Sequence, residues 1–211
     1  MNKYKYFFFC CGLVMAGSEI WKQLCLTFYI GHGSYNWWYF PFQLCSIPMY
    51  LCLILPWIRS EQFQKIILSF LMDFGLLGGI FAFFDTSGMY YPYLPLTIHS
   101  FAWHILLTIL GLTAGFSRMA DYSMRGWAGA VSCYLSCCCA ATCFNVIFHS
   151  SGTINMFYIS PYYPMAQRVF RDIAQFTGNT AGIFIYILAT ILCSGIFHWL
   201  WHQKNCMISA S

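Results

Sequence analysis

Six long apolar runs dominate this 211-residue chain, at 6–30, 40–57, 66–84, 97–116, 127–148 and 180–201. Crossing about 30 Å of hydrocarbon takes about 20 helical residues, and a helix is the simplest structure that satisfies its own backbone there. Charged residues make up 8% of the chain. A soluble domain carries roughly 25%, so this chain has too little polar surface to face water all round. The expected fold is all-α: one polytopic domain over 1–211 with six transmembrane helices. The net charge of +4 is small and dispersed, and no basic patch points to a nucleic-acid partner.

The positive charges set a direction. Lys3, Lys5, Arg59, Lys65, Arg118, Arg125 and Lys204 fall at the two ends and in the second and fourth loops. The first and third loops have no Lys or Arg, and the fifth has Arg168 and Arg171. The positive-inside rule then puts both termini in the cytoplasm. Lys3 and Lys5 precede an apolar run that resumes after Glu19, which suits a spanning helix better than a cleaved leader. The fifth loop, 149–179, is the only long one. Its residues 164–176 are expected to form a short amphipathic helix on the outer surface, with Arg168, Arg171 and Asp172 towards water or headgroups.

Several polar side chains fall within these runs, where each needs a partner or a function. The second run opens with Pro41 in its first turn. Pro48 lies inside it and is expected to kink the helix and free a carbonyl near Leu44, beside Cys45. Glu19 and Lys22 are three apart on helix one and can neutralise each other. The alternative is that Glu19 orients a catalytic histidine. Asp73 has no partner nearby in sequence and should be protonated, paired across helices or facing water. The cysteines at 133, 137, 138, 139 and 143 are read as small packing residues rather than metal ligands. His198 and His202, interleaved with Trp199 and Trp201, are read as anchors at the inner interface.

One constellation stands apart. In the expected topology Cys45 lies near the outer end of helix two, and His99 and His104 enter at a similar level on helix four. Asn145 and His149 close helix five at its outer end, and Asn155 follows in the fifth loop. Cys45, Gln43, one of the two histidines, Asn145 and Asn155 can therefore converge in the outer leaflet. His99 and His104 are about 140° apart around a helix, so they are not expected to face Cys45 together.

Glu19, the run Pro41-Phe42-Gln43-Leu44-Cys45, the run Phe101-Ala102-Trp103-His104 and the segment Asn155-Met156-Phe157-Tyr158 occur in an order that resembles the YwaF-like bacterial membrane proteins. These are six-helix proteins similar to an animal transmembrane family of cysteine-dependent phospholipid acyltransferases, and more remotely to the androgen-induced-gene fatty-acid ester hydrolases. The resemblance implies the bacterial plasma membrane, and the expected topology puts the site towards its outer leaflet. The resemblance also makes Cys45 the nucleophile and His104 its base, or His99 if the register differs by five residues. The expected activity is acyl transfer from a phospholipid ester, through a Cys45 thioester, to a lipid or a small alcohol or amine, or to water as in a lipid ester hydrolase, with neither cofactor nor metal. Gln43, Asn145 and Asn155, or backbone N–H groups freed near Pro48, would stabilise the oxyanion, with Glu19 and His149 in support. Two other classes fit the chain: a substrate-capture module of a transporter with an outward-facing pocket, and an ion pathway built on Glu19 and Asp73.

Overall fold

The computed structural model describes residues 3–210, which form helices and loops with no strand. Helix α1 (Lys3–Leu24) runs on into a π-helical turn at Cys25–Ile30. A 3-10 turn at Trp37–Tyr39 and an irregular stretch follow, then α2 (Ile47–Ile54), which tightens into a 3-10 turn at Leu55–Trp57. Helix α3 joins Glu61–Phe70, a π-helical turn at Leu71–Gly75 and Leu76–Phe81 in one rod. After it come α4 (Leu94–Phe116), α5 (Met124–Ile147), the short α6 (Arg168–Thr177) and α7 (Asn179–Ala210).

Four of these helices are long and apolar enough to cross a membrane: α3, α4, α5 and the Asn179–Met207 part of α7. Ile98, Ile105 and Ile109 on α4 and Leu188, Leu192 and Ile196 on α7 all point outwards. Rows of exposed branched aliphatics suit lipid, so the architecture is that of a multi-pass membrane protein. On these criteria four spans stand where the sequence has six runs. Helix α1 carries Lys3, Lys5, Glu19 and Lys22, and the α2 helix, Ile47–Trp57, is only about 16 Å long.

Helix α3 is the centre of the molecule. Of its apolar stretch 67% is buried, against 28% for α4 and α5 and 22% for α7. Glycine lets α4 come close to it. A Cβ on Gly111 would stand 2.6 Å from the Leu76 Cβ, and one on Gly79 would stand 2.8 Å from the Thr108 backbone nitrogen. These two glycines therefore serve helix packing.

Three expectations are corrected here. The second helix begins at Ile47, so Pro48 stands in its first turn, where a missing N–H costs nothing, and does not kink it. Residues 40–46 are not helical, and their turn is closed by Ser46 N–H donating to the Gln43 carbonyl at 2.8 Å. His198 is not an interfacial anchor. It is buried, with Nδ1 2.9 Å from Asp73 Oδ2 and Nε2 donating to the Ser123 carbonyl at 3.0 Å. Asp73 is thus paired across helices, one of its three expected states. Trp201 is also buried, its ring against Gly115 and edge-on to Phe116. The amphipathic helix of the fifth loop starts at Arg168 and docks on α7, with Phe170 edge-on to Tyr186 at 5.1 Å and Ala174 against Gly182. Gly178 ends it with a φ of 90°, a left-handed conformation that glycine takes without strain.

Candidate functional site

A cavity of about 510 Å³ lies between α1, α3, α4 and α7 and the loops that join them. That volume is in the range of small-molecule sites. Cys45, His99 and His104 all line it, as do Gln43, Glu19 and Lys22. Cys45 reaches it from the irregular stretch before α2. The stretch is pinned from two sides. Trp103 Nε1 donates to the Cys45 carbonyl at 3.0 Å, and the Tyr50 hydroxyl donates to the Pro41 carbonyl at 2.8 Å. The turn bonds at Gln43 come from Ser46 and Ile47. The N–H groups of Leu44 and Cys45 have no backbone acceptor among the described residues.

The two histidines differ in their bonding. His104 Nδ1 lies 2.8 Å from the Ser100 carbonyl, which can only accept. Nδ1 therefore carries the proton, and Nε2 of the neutral ring presents a lone pair. The His99 ring sits between Trp21 and Trp103, with centroids 5.7 Å and 5.6 Å away. Its Nε2 is buried and has no protein partner. The cavity also holds an ion pair. Lys22 Nζ is 2.8 Å from Glu19 Oε1, and Gln23 Nε2 donates to the same oxygen at 2.7 Å. Gln23 Nε2 is equally close to the Tyr39 carbonyl, which ties this pair to the segment leading to Cys45.

The three amides named from the sequence share a different task. Gln43 Nε2 donates to the Asn155 carbonyl at 3.0 Å, and its Oε1 accepts from Phe157 N–H at 2.7 Å. Asn145 spans Met156, donating to its carbonyl at 3.0 Å and accepting from its N–H at 2.7 Å. Asn155 Oδ1 accepts from Ser160 N–H at 2.9 Å. Together they hold Phe157 and Tyr158 in left-handed conformations, φ 57° and 59°, at a cost of about 1–3 kcal/mol each. The result turns Tyr158 into the cavity wall. Gln43 lines the cavity, whereas Asn145 and Asn155 stand behind it. His149 is on the surface, stacked on Tyr162 at 4.2 Å with Nδ1 donating to the Val146 carbonyl.

Sequence reasoning missed the far wall: Trp38, Tyr39, Tyr91, Asp85 and Gln167 all line the same cavity. These aromatics fall in loops with no distinguishing spacing, and only their pairing in space marks them out. No protein-family model matches the chain, and neither a curated protein nor a solved structure is similar to it.

Proposed function

We propose that this protein is a membrane-embedded acyltransferase in which Cys45 accepts a fatty acyl group from a lipid ester and passes it to an alcohol or amine. The observation that carries the reading is that Cys45 lines one cavity with His99 and His104, more than 50 residues further along the chain. His104 is the general base, because its anchored Nδ1 leaves Nε2 free to take the thiol proton. The thiolate attacks the ester carbonyl, and the tetrahedral oxyanion is met by the Leu44 and Cys45 N–H groups. The C–O bond breaks, the imidazolium returns its proton to the leaving alkoxide, and a lyso-lipid departs from a Cys45 thioester. The acceptor then gives its proton to His104, attacks the thioester and releases the thiolate, which is reprotonated. Lys22 and Glu19 face the same cavity as an ion pair, so the His104 imidazolium is the charge that steadies the thiolate.

Gln43 and Asn145 donate to the Asn155 and Met156 carbonyls, and Asn155 to the Pro164 carbonyl, so these residues act here by shaping the wall. In this reading α1 is the fifth crossing, with its Glu19–Lys22 pair turned to the cavity. The irregular stretch and α2 together make the sixth, both termini are cytoplasmic, and the site serves the outer leaflet of a bacterial plasma membrane. Intact mass after incubation with phospholipid tests the chemistry. One acyl adduct per chain, removed by hydroxylamine and absent from Cys45→Ser, is expected. Full lipid turnover by Cys45→Ala would end the proposal.

A further inference from the structure

The loop end of the cavity has a chemistry that the thiol reaction does not use. Trp38 and Tyr158 face each other with ring centroids 6.1 Å apart at 54°, and Tyr39 and Tyr91 with centroids 5.7 Å apart at 40°. All four rings, from three separate segments, line the cavity. Burial pushes the phenols of Tyr39, Tyr91 and Tyr158 up, that of Tyr158 to about 12, so the rings stay neutral at physiological pH. Asp85 lies on the same wall. Its Oδ1 accepts from Ser87 Oγ at 2.6 Å and Ser87 N–H at 3.2 Å. These bonds, with Arg168 and Arg171 at longer range, hold its carboxyl below the ordinary range and therefore charged. Neither arginine lines the cavity. Gln167, also on the wall, has a buried Oε1 with no donor.

This end thus offers π faces, a carboxylate and an orphan carbonyl oxygen. Its complement is an organic cation, held by ring faces and charge together. A hard metal ion would need six or more oxygens, which this wall does not supply. A quaternary ammonium would satisfy the rings but leave Gln167 Oε1 without a donor, whereas a primary ammonium brings three N–H groups. We propose that the loop end of the cavity is a binding subsite for a primary ammonium group, ringed by Trp38, Tyr39, Tyr91 and Tyr158 and hydrogen-bonded by Asp85 and Gln167. The group is either the amine of a lipid headgroup or a free amine that enters as acyl acceptor. The subsite rests on the cavity being the substrate site, but not on the chemistry of Cys45.

The test uses the full chain in phosphatidylcholine nanodiscs doped with equal traces of phosphatidylethanolamine and phosphatidylglycerol, with retained lipid counted by native mass spectrometry. Phosphatidylethanolamine is expected to be enriched about tenfold over phosphatidylglycerol. The enrichment should vanish in Asp85→Asn and fall in Gln167→Leu, both checked for folding by size-exclusion profile. Enrichment of this kind supports the headgroup as the source. Saturable binding of free ethanolamine that depends on Asp85, without lipid enrichment, supports a soluble acceptor. The proposal is overturned by neither signal, by an enrichment that Asp85→Asn leaves intact, or by tetramethylammonium binding as tightly as ethanolamine. Cys45→Ala should keep the enrichment. If the acyl adduct never forms while the enrichment persists, the thiol chemistry falls and the subsite stands.

Discussion

Removing one member of the Asp73–His198 pair should cost more than removing both. The pair is buried on both sides, with side-chain exposures of 0% for Asp73 and 4% for His198, and its Nδ1–Oδ2 distance is 2.9 Å. Asp73 stands in the π-helical turn of α3, and its second oxygen has no partner at all. His198→Leu therefore strands a carboxyl group in the core, at a cost of about 3–5 kcal/mol. It also frees the Ser123 carbonyl from its donor, adding about 1–3 kcal/mol. In the double variant Asp73→Val/His198→Leu the stranded carboxyl is gone and only the Ser123 carbonyl is left short, so the loss shrinks to about 1–3 kcal/mol. The second substitution should restore about 3 kcal/mol, the lower bound of the pair term. Unfolding in mixed micelles of dodecyl maltoside and rising dodecyl sulfate, followed by helicity, measures the three variants against the parent. A double variant no more stable than His198→Leu would show that the pair does not carry the energetics described.

Other outcomes follow from the same contacts. His104→Ala should lower acyl-adduct formation by about 10²–10⁴-fold, as expected for loss of a general base, whereas His99→Ala should lower it far less; single-turnover mass spectrometry separates them. Asn145→Ala leaves both polar groups of buried Met156 unpaired, so it should cost about 2–5 kcal/mol and speed hydrogen exchange across 156–160. Gly111→Leu should destabilise the α3–α4 contact, while Gly78→Ala, with open space at its Cβ, should leave thermal stability within about 0.5 kcal/mol. Asp85 titrates below the ordinary value of 3.8 because Ser87 and nearby arginines favour its charged form. Its contribution to loop stability is therefore present above pH 3.8 and lost as pH falls through the lower folded value. Ser87→Ala should move the carboxyl titration, read by carbon-13 NMR, back up towards 3.8.

Fold class was legible because it depends on local pattern. Apolar runs mark helices wherever they occur, and α3, α4, α5 and α7 lie close to the runs that announced them. The start of the second helix was not. Pro48 is compatible both with an interior kink and with a first turn. What selects the first turn is distant: Trp103, 58 residues along the chain, holds the Cys45 carbonyl, and Asn155 and Phe157, 112 and 114 residues away, take up the Gln43 amide. His198 shows the same limit. Its tryptophan neighbours suggest an interface, and only the packing of α7 on α3 brings it to Asp73, 125 residues away. The candidate site was partly legible for a similar reason. Depth along each helix can be counted, so Cys45, His99 and His104 could be set at one level. Which polar atoms are spent on backbone and which face the cavity depends on rotation and loop path, which only tertiary contacts decide.

By itself, then, the sequence determined that this chain must live among lipids as a helical protein, because 8% charge cannot cover a soluble surface. The tertiary structure decided that residues 40–46 stay unwound and that Gln43 to Ser46 line a cavity. It also decided that the three amides clamp a loop and that four aromatic rings from three segments line the cavity beside Asp85. Those outcomes rest on bonds between residues tens of positions apart, and no periodicity along the chain encodes them.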